Sequence, residues 1–105
     1  MNDAVEAPIP YRVIYSERVR SNLRELHRGA AVRGLGDQVL DAVKQIDARL
    51  RLYPQFGQPL RDLATPGETV WIGIVAPLVV QYVIDEAMHM VFVVAPFKGL
   101  QNSGL

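Results

Sequence analysis

The fifteen residues VWIGIVAPLVVQYVI, Val70 to Ile84, constrain the fold of this chain more than any other stretch, because only Gly73, Pro77 and Gln81 interrupt a run of aliphatic and aromatic side chains. A hairpin in a small domain normally alternates, with one face on the core and the other in water. A stretch that is apolar at both parities needs a cover on each side. The run is too short for the roughly 20 apolar residues of a membrane span and has a proline at its centre. It reads instead as two strands, Thr69 to Val75 and Leu78 to Ile84, joined by a tight turn at Ala76-Pro77.

A two-residue turn fixes the register. Val75 opposes Leu78, Ile74 opposes Val79, Ile72 opposes Gln81 and Trp71 opposes Tyr82. A second turn at Glu86-Ala87 leads into a third arm, Met88 to Ala95, and sets Ile84 against His89, Tyr82 against Val91 and Gln81 against Phe92. One face then holds Trp71, Gly73, Val75, Leu78, Val80, Tyr82, Ile84, His89, Val91 and Val93. The other holds Val70, Ile72, Ile74, Val79, Gln81, Val83, Met90, Phe92 and Val94. A one-residue slip exchanges the faces without making either polar.

Upstream, Ile9 to Tyr15 alternates as a first strand, and Ser16 is placed to cap a helix starting at Glu17, with Val19, Leu23, Leu26 and Ala30 at helical spacing. Gly34 and Gly36 break that helix. Asp37 opens a second, whose stripe of Leu35, Val39, Val43, Ile46 and Leu50 ends near Tyr53 because Pro54 cannot continue it. Gly57, Pro59, Pro66 and Gly67 mark the following segment as a turn-rich connection. The expected fold class is therefore α+β, in the order β-α-α-β-β-β, an antiparallel sheet with a helical hairpin packed on one face. At 105 residues the chain is expected to form a single domain, with 1–8 and 99–105 as loose ends.

Eleven Lys and Arg balance eleven Asp and Glu, so no general attraction to nucleic acid or anionic lipid follows. The arginines of the first helix, Arg18, Arg20, Arg24 and Arg28, with Arg33 just beyond, read as a solvated face or as a contact for an acidic partner. The chain has no cysteine, which excludes disulfides and thiolate metal sites and fits a reducing compartment. The acidic N-terminus lacks the pattern of a secretory signal, so the expected location is cytoplasmic, away from membrane. His27 has no partner at metal-ligand spacing, and no phosphate-binding glycine loop or G-x-S-x-G or H-E-x-x-H motif occurs. No metal and no cofactor is expected.

The order β-α-α-β-β-β, with YPQFGQPLRDL ahead of the hairpins and VVQYVIDEAMHMVFVV within them, resembles the RelE/ParE family of bacterial type II toxin–antitoxin toxins along nearly the whole chain. Tyr11, Val13 and Ser16 match its first strand, Pro54, Gly57, Pro59 and Leu60 its P-x-x-G-x-P-L segment, and Val80, Tyr82, Ile84 and Asp85 its R-V-x-Y-x-I-D strand. The family's arginine in that strand falls here on Val79. The strand before it, often basic at alternate positions, has Ile72 and Ile74, and the His-Arg pair that closes the last strand is replaced by Pro96-Phe97-Lys98.

The resemblance implies a toxin-family protein with an antitoxin partner. The missing cations, together with the second apolar face, shift the expected activity from RNA cleavage to protein binding, through Ile72, Ile74, Val79, Gln81 and Phe92, to an antitoxin, to another copy in a homodimer, or to both. The alternatives the family offers are a ribosome-dependent mRNA interferase with an atypical site and a ParE-like inhibitor of DNA gyrase. Cleavage through a 2′-hydroxyl needs cations and a proton-transfer group near the scissile phosphate. The candidates are Lys98, Arg61, His89 and Tyr82. Three of them also have a plainer reading: Arg61 as a solvated loop residue, His89 as a surface strand residue, and Tyr82 as the cross-strand partner of Trp71.

Overall fold

The structure, a computed structural model, describes residues 9–60 and 69–105. The expected lead-in 1–8 and the candidate Arg61 lie outside the described residues. Ser16 caps the first helix as its position predicts: with extended backbone (φ −69°, ψ 163°) its side chain accepts the Val19 N–H at 3.1 Å, and α1 runs Glu17–Val32. Its end is closed by Gly34 at φ 77°, where the Gly34 N–H reaches the Ala31 carbonyl (3.1 Å) and the Leu35 N–H reaches that of Ala30 (2.8 Å). This pairing satisfies carbonyls that the helix itself leaves open. The second helix, α2 (Gly36–Leu52), stops at Tyr53 before Pro54.

The strands are β1 (Arg12–Tyr15), β2 (Gln58–Leu60), β3 (Val70–Val75), β4 (Leu78–Asp85), β5 (Met90–Val93) and β6 (Lys98–Gly99). Among the described residues they form one sheet in the order β1-β5-β4-β3-β2, with β6 also on β4. Two corrections to the expected order follow. The segment after α2, expected as a turn-rich connection, contains a 3₁₀ turn at Pro54–Phe56 and the short edge strand β2, where Pro59 is tolerated because one side of the strand is free. The sheet is also not wholly antiparallel, because β1 runs parallel to β5. A parallel pair needs a long connection, and nearly all of the chain lies between these two strands.

The β3–β4 register matches the expected one pair for pair, from Val75↔Leu78 to Trp71↔Tyr82, through a cis Ala76–Pro77 peptide. The β4–β5 register differs by two residues: Tyr82 faces Val93, Val83 faces Phe92, and Ile84 faces Val91. The connection holds four residues, Glu86 to His89, with the Asp85 carboxylate accepting the Met88 N–H (3.0 Å) and His89 at φ 56°. Because side chains alternate with period two, a two-residue shift leaves every remaining strand residue on its expected face. Only His89 is lost from its face, drawn into the turn.

The helices cover the face of Trp71, Gly73, Val75, Leu78, Val80, Tyr82, Ile84, Val91 and Val93. Leu78, Val80, Tyr82 and Val91 are fully buried there with Ile46 and Leu50 of α2, while Val19 of α1 completes the same core. Gly73 interrupts the apolar run because the Phe56 ring occupies the space a side chain would need; an added Cβ would lie 2.5 Å from the ring's tip. The tail 99–105, expected to be loose, is docked. Phe97 is buried with its N–H on the Asn22 side chain (2.8 Å), the Leu100 N–H reaches the Pro77 carbonyl (2.8 Å), Arg33 holds the Gly104 carbonyl (3.0 Å), and Leu105 packs on the core.

At the helix–sheet boundary Tyr15 donates to Asp47 (2.6 Å), which also accepts from Arg51 (2.8 Å). Partial burial alone raises the Asp47 carboxyl, but the bonds from Arg51 and Tyr15 outweigh it and hold the group below its usual range. A depressed carboxyl stabilises the fold above its unfolded value, near pH 4, and the contribution disappears as pH falls through the folded value. Asp47→Asn is therefore expected to melt below the parent at pH 7, with the gap closing below about pH 4; thermal melts across that range check it.

Candidate functional site

On the sheet face turned away from the helices every described strand side chain is half-buried or exposed. Alternation places Ile14, Phe92, Val83, Val70 and Leu60 in one row across five strands, β1-β5-β4-β3-β2. The next row has Gln81, Ile72 and Gln58, with Val94 beside Gln81 through the Val94 N–H to Gln81 carbonyl bond (3.1 Å). A third holds Lys98, Val79 and Ile74, and the opposite end holds Arg12, Met90 and Asp85. Ile74 is 54% exposed, Val94 50% and Leu60 38%, high values for aliphatic side chains in a sheet. With the half-buried Ile14, Val70, Ile72, Val79, Val83 and Phe92 between them, they form a mostly apolar patch of the kind that marks an interface.

Ile72, Ile74, Val79, Gln81 and Phe92, the candidate binding residues, all lie on this face. The sequence reading missed its extensions. Ile14 joins because β1 pairs with β5, and Leu60 joins through β2; the signal for Ile14 was its alternation between Val13 and Tyr15, whose side chains face the core.

The described catalytic candidates do not converge. Lys98 is exposed on the open face opposite Val79. His89 sits in the β4–β5 turn, its ring stacked on Tyr11 at 3.7 Å with Nε2 2.6 Å from the Ile9 carbonyl oxygen. Val79 and Asp85 stand near opposite ends of β4, about 20 Å of strand apart, so Lys98 and His89 are widely separated. Tyr82 faces the helices. Its ring pairs with Trp71 (6.5 Å) and Phe56 (6.0 Å), and its hydroxyl donates to the Pro54 carbonyl at 2.6 Å. Burial pushes that hydroxyl up to about 12, so near pH 7 it stays protonated and bonded in the core. Tyr82→Phe leaves the Pro54 carbonyl buried without its donor and is expected to cost about 1–2 kcal/mol, or about 5–10 °C in Tm by calorimetry.

Among the described residues no three His, Cys, Asp or Glu side chains gather as a metal site, and no helix is long and apolar enough to cross a membrane. At the edge of the open face a cleft of about 280 Å³ is lined by Arg49, Phe56, Gly57, Gln58, Ile72 and Ile74. The Arg49 guanidinium carbon stands 5.4 Å above the Phe56 ring centre.

No protein-family model and no curated protein matches the sequence. Solved structures do match: a chain of the toxin–antitoxin complex RelBE2 from Mycobacterium tuberculosis superposes over 87% of this chain and 92% of its own, with a TM-score of 0.61 and 19% identity. The fold is RelE-like. An α+β arrangement of two helices on a mostly antiparallel sheet is what the resemblance in the sequence implied, and the superposition establishes it independently of any motif. At such identity the match speaks for backbone architecture and carries no residue's role.

Proposed function

We propose that this chain is the toxin-fold member of a type II toxin–antitoxin pair and acts by binding protein on the open face of its sheet. The partner is an antitoxin segment laid over Ile72, Ile74, Val79 and Phe92. The observation that carries this reading is the face itself, with aliphatic side chains in register across five strands and Ile74 and Val94 half exposed or more. Support comes also from the similar solved structure, which is a toxin–antitoxin complex. A bacterial, cytoplasmic setting belongs to the same reading.

Light scattering of the pure protein, alone and with the product of the small gene beside its own, tests this. A stable hetero-complex or a self-associated form relieved by that product is expected; a monodisperse monomer indifferent to it overturns the reading. Expression without the partner gene separates it from the target-directed alternatives. Ribosome-dependent mRNA cleavage that Lys98→Ala relieves would identify an interferase, and DNA damage would identify a gyrase inhibitor.

A further inference from the structure

Among the described residues the charges around the open face are lopsided. Lys98 stands at one end of the row Lys98-Val79-Ile74, and Arg49 lines the cleft that Ile74 borders at the other. None of the described carboxylates pairs with either cation. Arg12 adds a third beside Met90. The described carboxylate in that row, Asp85, accepts the Met88 N–H of its own turn, so the three cations outnumber it on this face.

We infer that the open face selects a protein segment whose aliphatic side chains are bracketed by carboxylates, one of which sits in the Arg49–Phe56 cleft. This rests on the protein-binding reading and specifies the partner's chemistry. The cleft suits a carboxylate in three ways. Ile72 and Ile74 of the open face also line it, so an acidic residue next to an aliphatic one can reach the cation while its neighbour stays on the face. The guanidinium fork can hold both carboxylate oxygens at once. Stacking on Phe56 positions the exposed fork beforehand, so less side-chain freedom is lost when a carboxylate binds.

A second copy of the chain fits less well, because among the described residues two such faces bring six cations against two carboxylates. Nucleic acid fits less well too. A polyanion is held by many cations tracking its backbone, whereas here the described residues set three rim cations around apolar rows in a chain of zero net charge.

Panning a library of random 16-residue displayed peptides against the full chain is the test, with the captured peptides then titrated against variants. The inference expects sequences rich in Leu, Ile, Val or Phe together with Asp or Glu. Their affinity should fall at least 10-fold on Arg49→Gln and weaken between 50 and 500 mM salt on the unsubstituted chain, while panning on Arg49→Glu should select Lys or Arg in place of the acids. Peptides that bind equally to Arg49→Gln and resist salt, yet are lost on Ile74→Glu, overturn this inference and leave the face as the site. Peptides indifferent to Ile74→Glu as well overturn both readings, as does failure to capture any peptide when the chain also shows no self-association. Self-association that excludes peptides would assign the face to a second copy, and retention of a 20-nucleotide poly-uridine strand abolished by Arg49→Gln and Lys98→Gln would assign it to nucleic acid; either overturns the inference.

Discussion

Gly57→Ala is expected to destabilise the fold by about 3 kcal/mol or more, enough to unfold much of so small a domain at 37 °C. Gly57 joins the 3₁₀ turn to β2 at an ordinary backbone conformation (φ −82°), so conformational freedom is not the issue. Space is: a methyl there would overlap the carbonyl of Ile72 in β3 and stand 2.5 Å from the Tyr82 hydroxyl. The first obstacle is backbone in the middle of the sheet. The second is a buried ring whose hydroxyl is bonded to Pro54 and whose faces are stacked on Trp71 and Phe56. Neither can move without opening the core. Gly29 supplies the contrast, because an added Cβ meets nothing within 4 Å, and Gly29→Ala in α1 should stabilise by about 0.5–1 kcal/mol. Urea unfolding of the two variants checks both signs.

Ile74→Glu is expected to abolish partner binding, weakening it at least 100-fold, or about 2.7 kcal/mol, with little change in stability. The side chain is 54% exposed in the isolated fold, so the free protein keeps a carboxylate there hydrated. In a complex that covers Val79 on one side and the Arg49 cleft on the other, the same carboxylate would be buried against Val79 or would take the cleft from the partner's own carboxylate. The cost falls on the complex alone. A calorimetric titration beside a thermal melt separates the two effects.

The central hairpin was legible from sequence because two strong signals coincided. A run apolar at both parities left no doubt about strands, and Ala76-Pro77 in its middle fixed the turn, so the β3–β4 pairs follow without knowledge of the rest of the fold. Ser16 and Pro54 bounded the helical hairpin for equally local reasons. The β4–β5 turn differs from the two-residue loop that Glu86-Ala87 suggests, because the Asp85 side chain organises a longer one in which His89 adopts a left-handed backbone and stacks on Tyr11, a contact distant in sequence.

Short edge elements were invisible for a different reason. The strands β2 and β6 are only three and two residues long, and pairing, not propensity, makes them strands. The docked tail likewise depends on a cleft made by α1 and the β3–β4 turn, which no window of sequence contains. For the candidate site, alternation was enough to place Ile72, Ile74, Val79, Gln81 and Phe92 on one face. It could not say which face the helices take, nor that Arg49 of α2 and Phe56 of the following turn reach the other face's edge. Those are consequences of how the α2 C-terminus meets β3.

Methyl relaxation by a soluble paramagnetic agent tests the account's central claim most directly, read on Ile72, Ile74, Val79 and Val94 before and after addition of the adjacent gene's product. In the free protein these methyls should be relaxed strongly; in the complex they should be protected, while the exposed Val32 and Leu40 of the helices keep their relaxation. A complex in which the helical methyls become protected and Ile74 and Val94 stay open to the agent would contradict it.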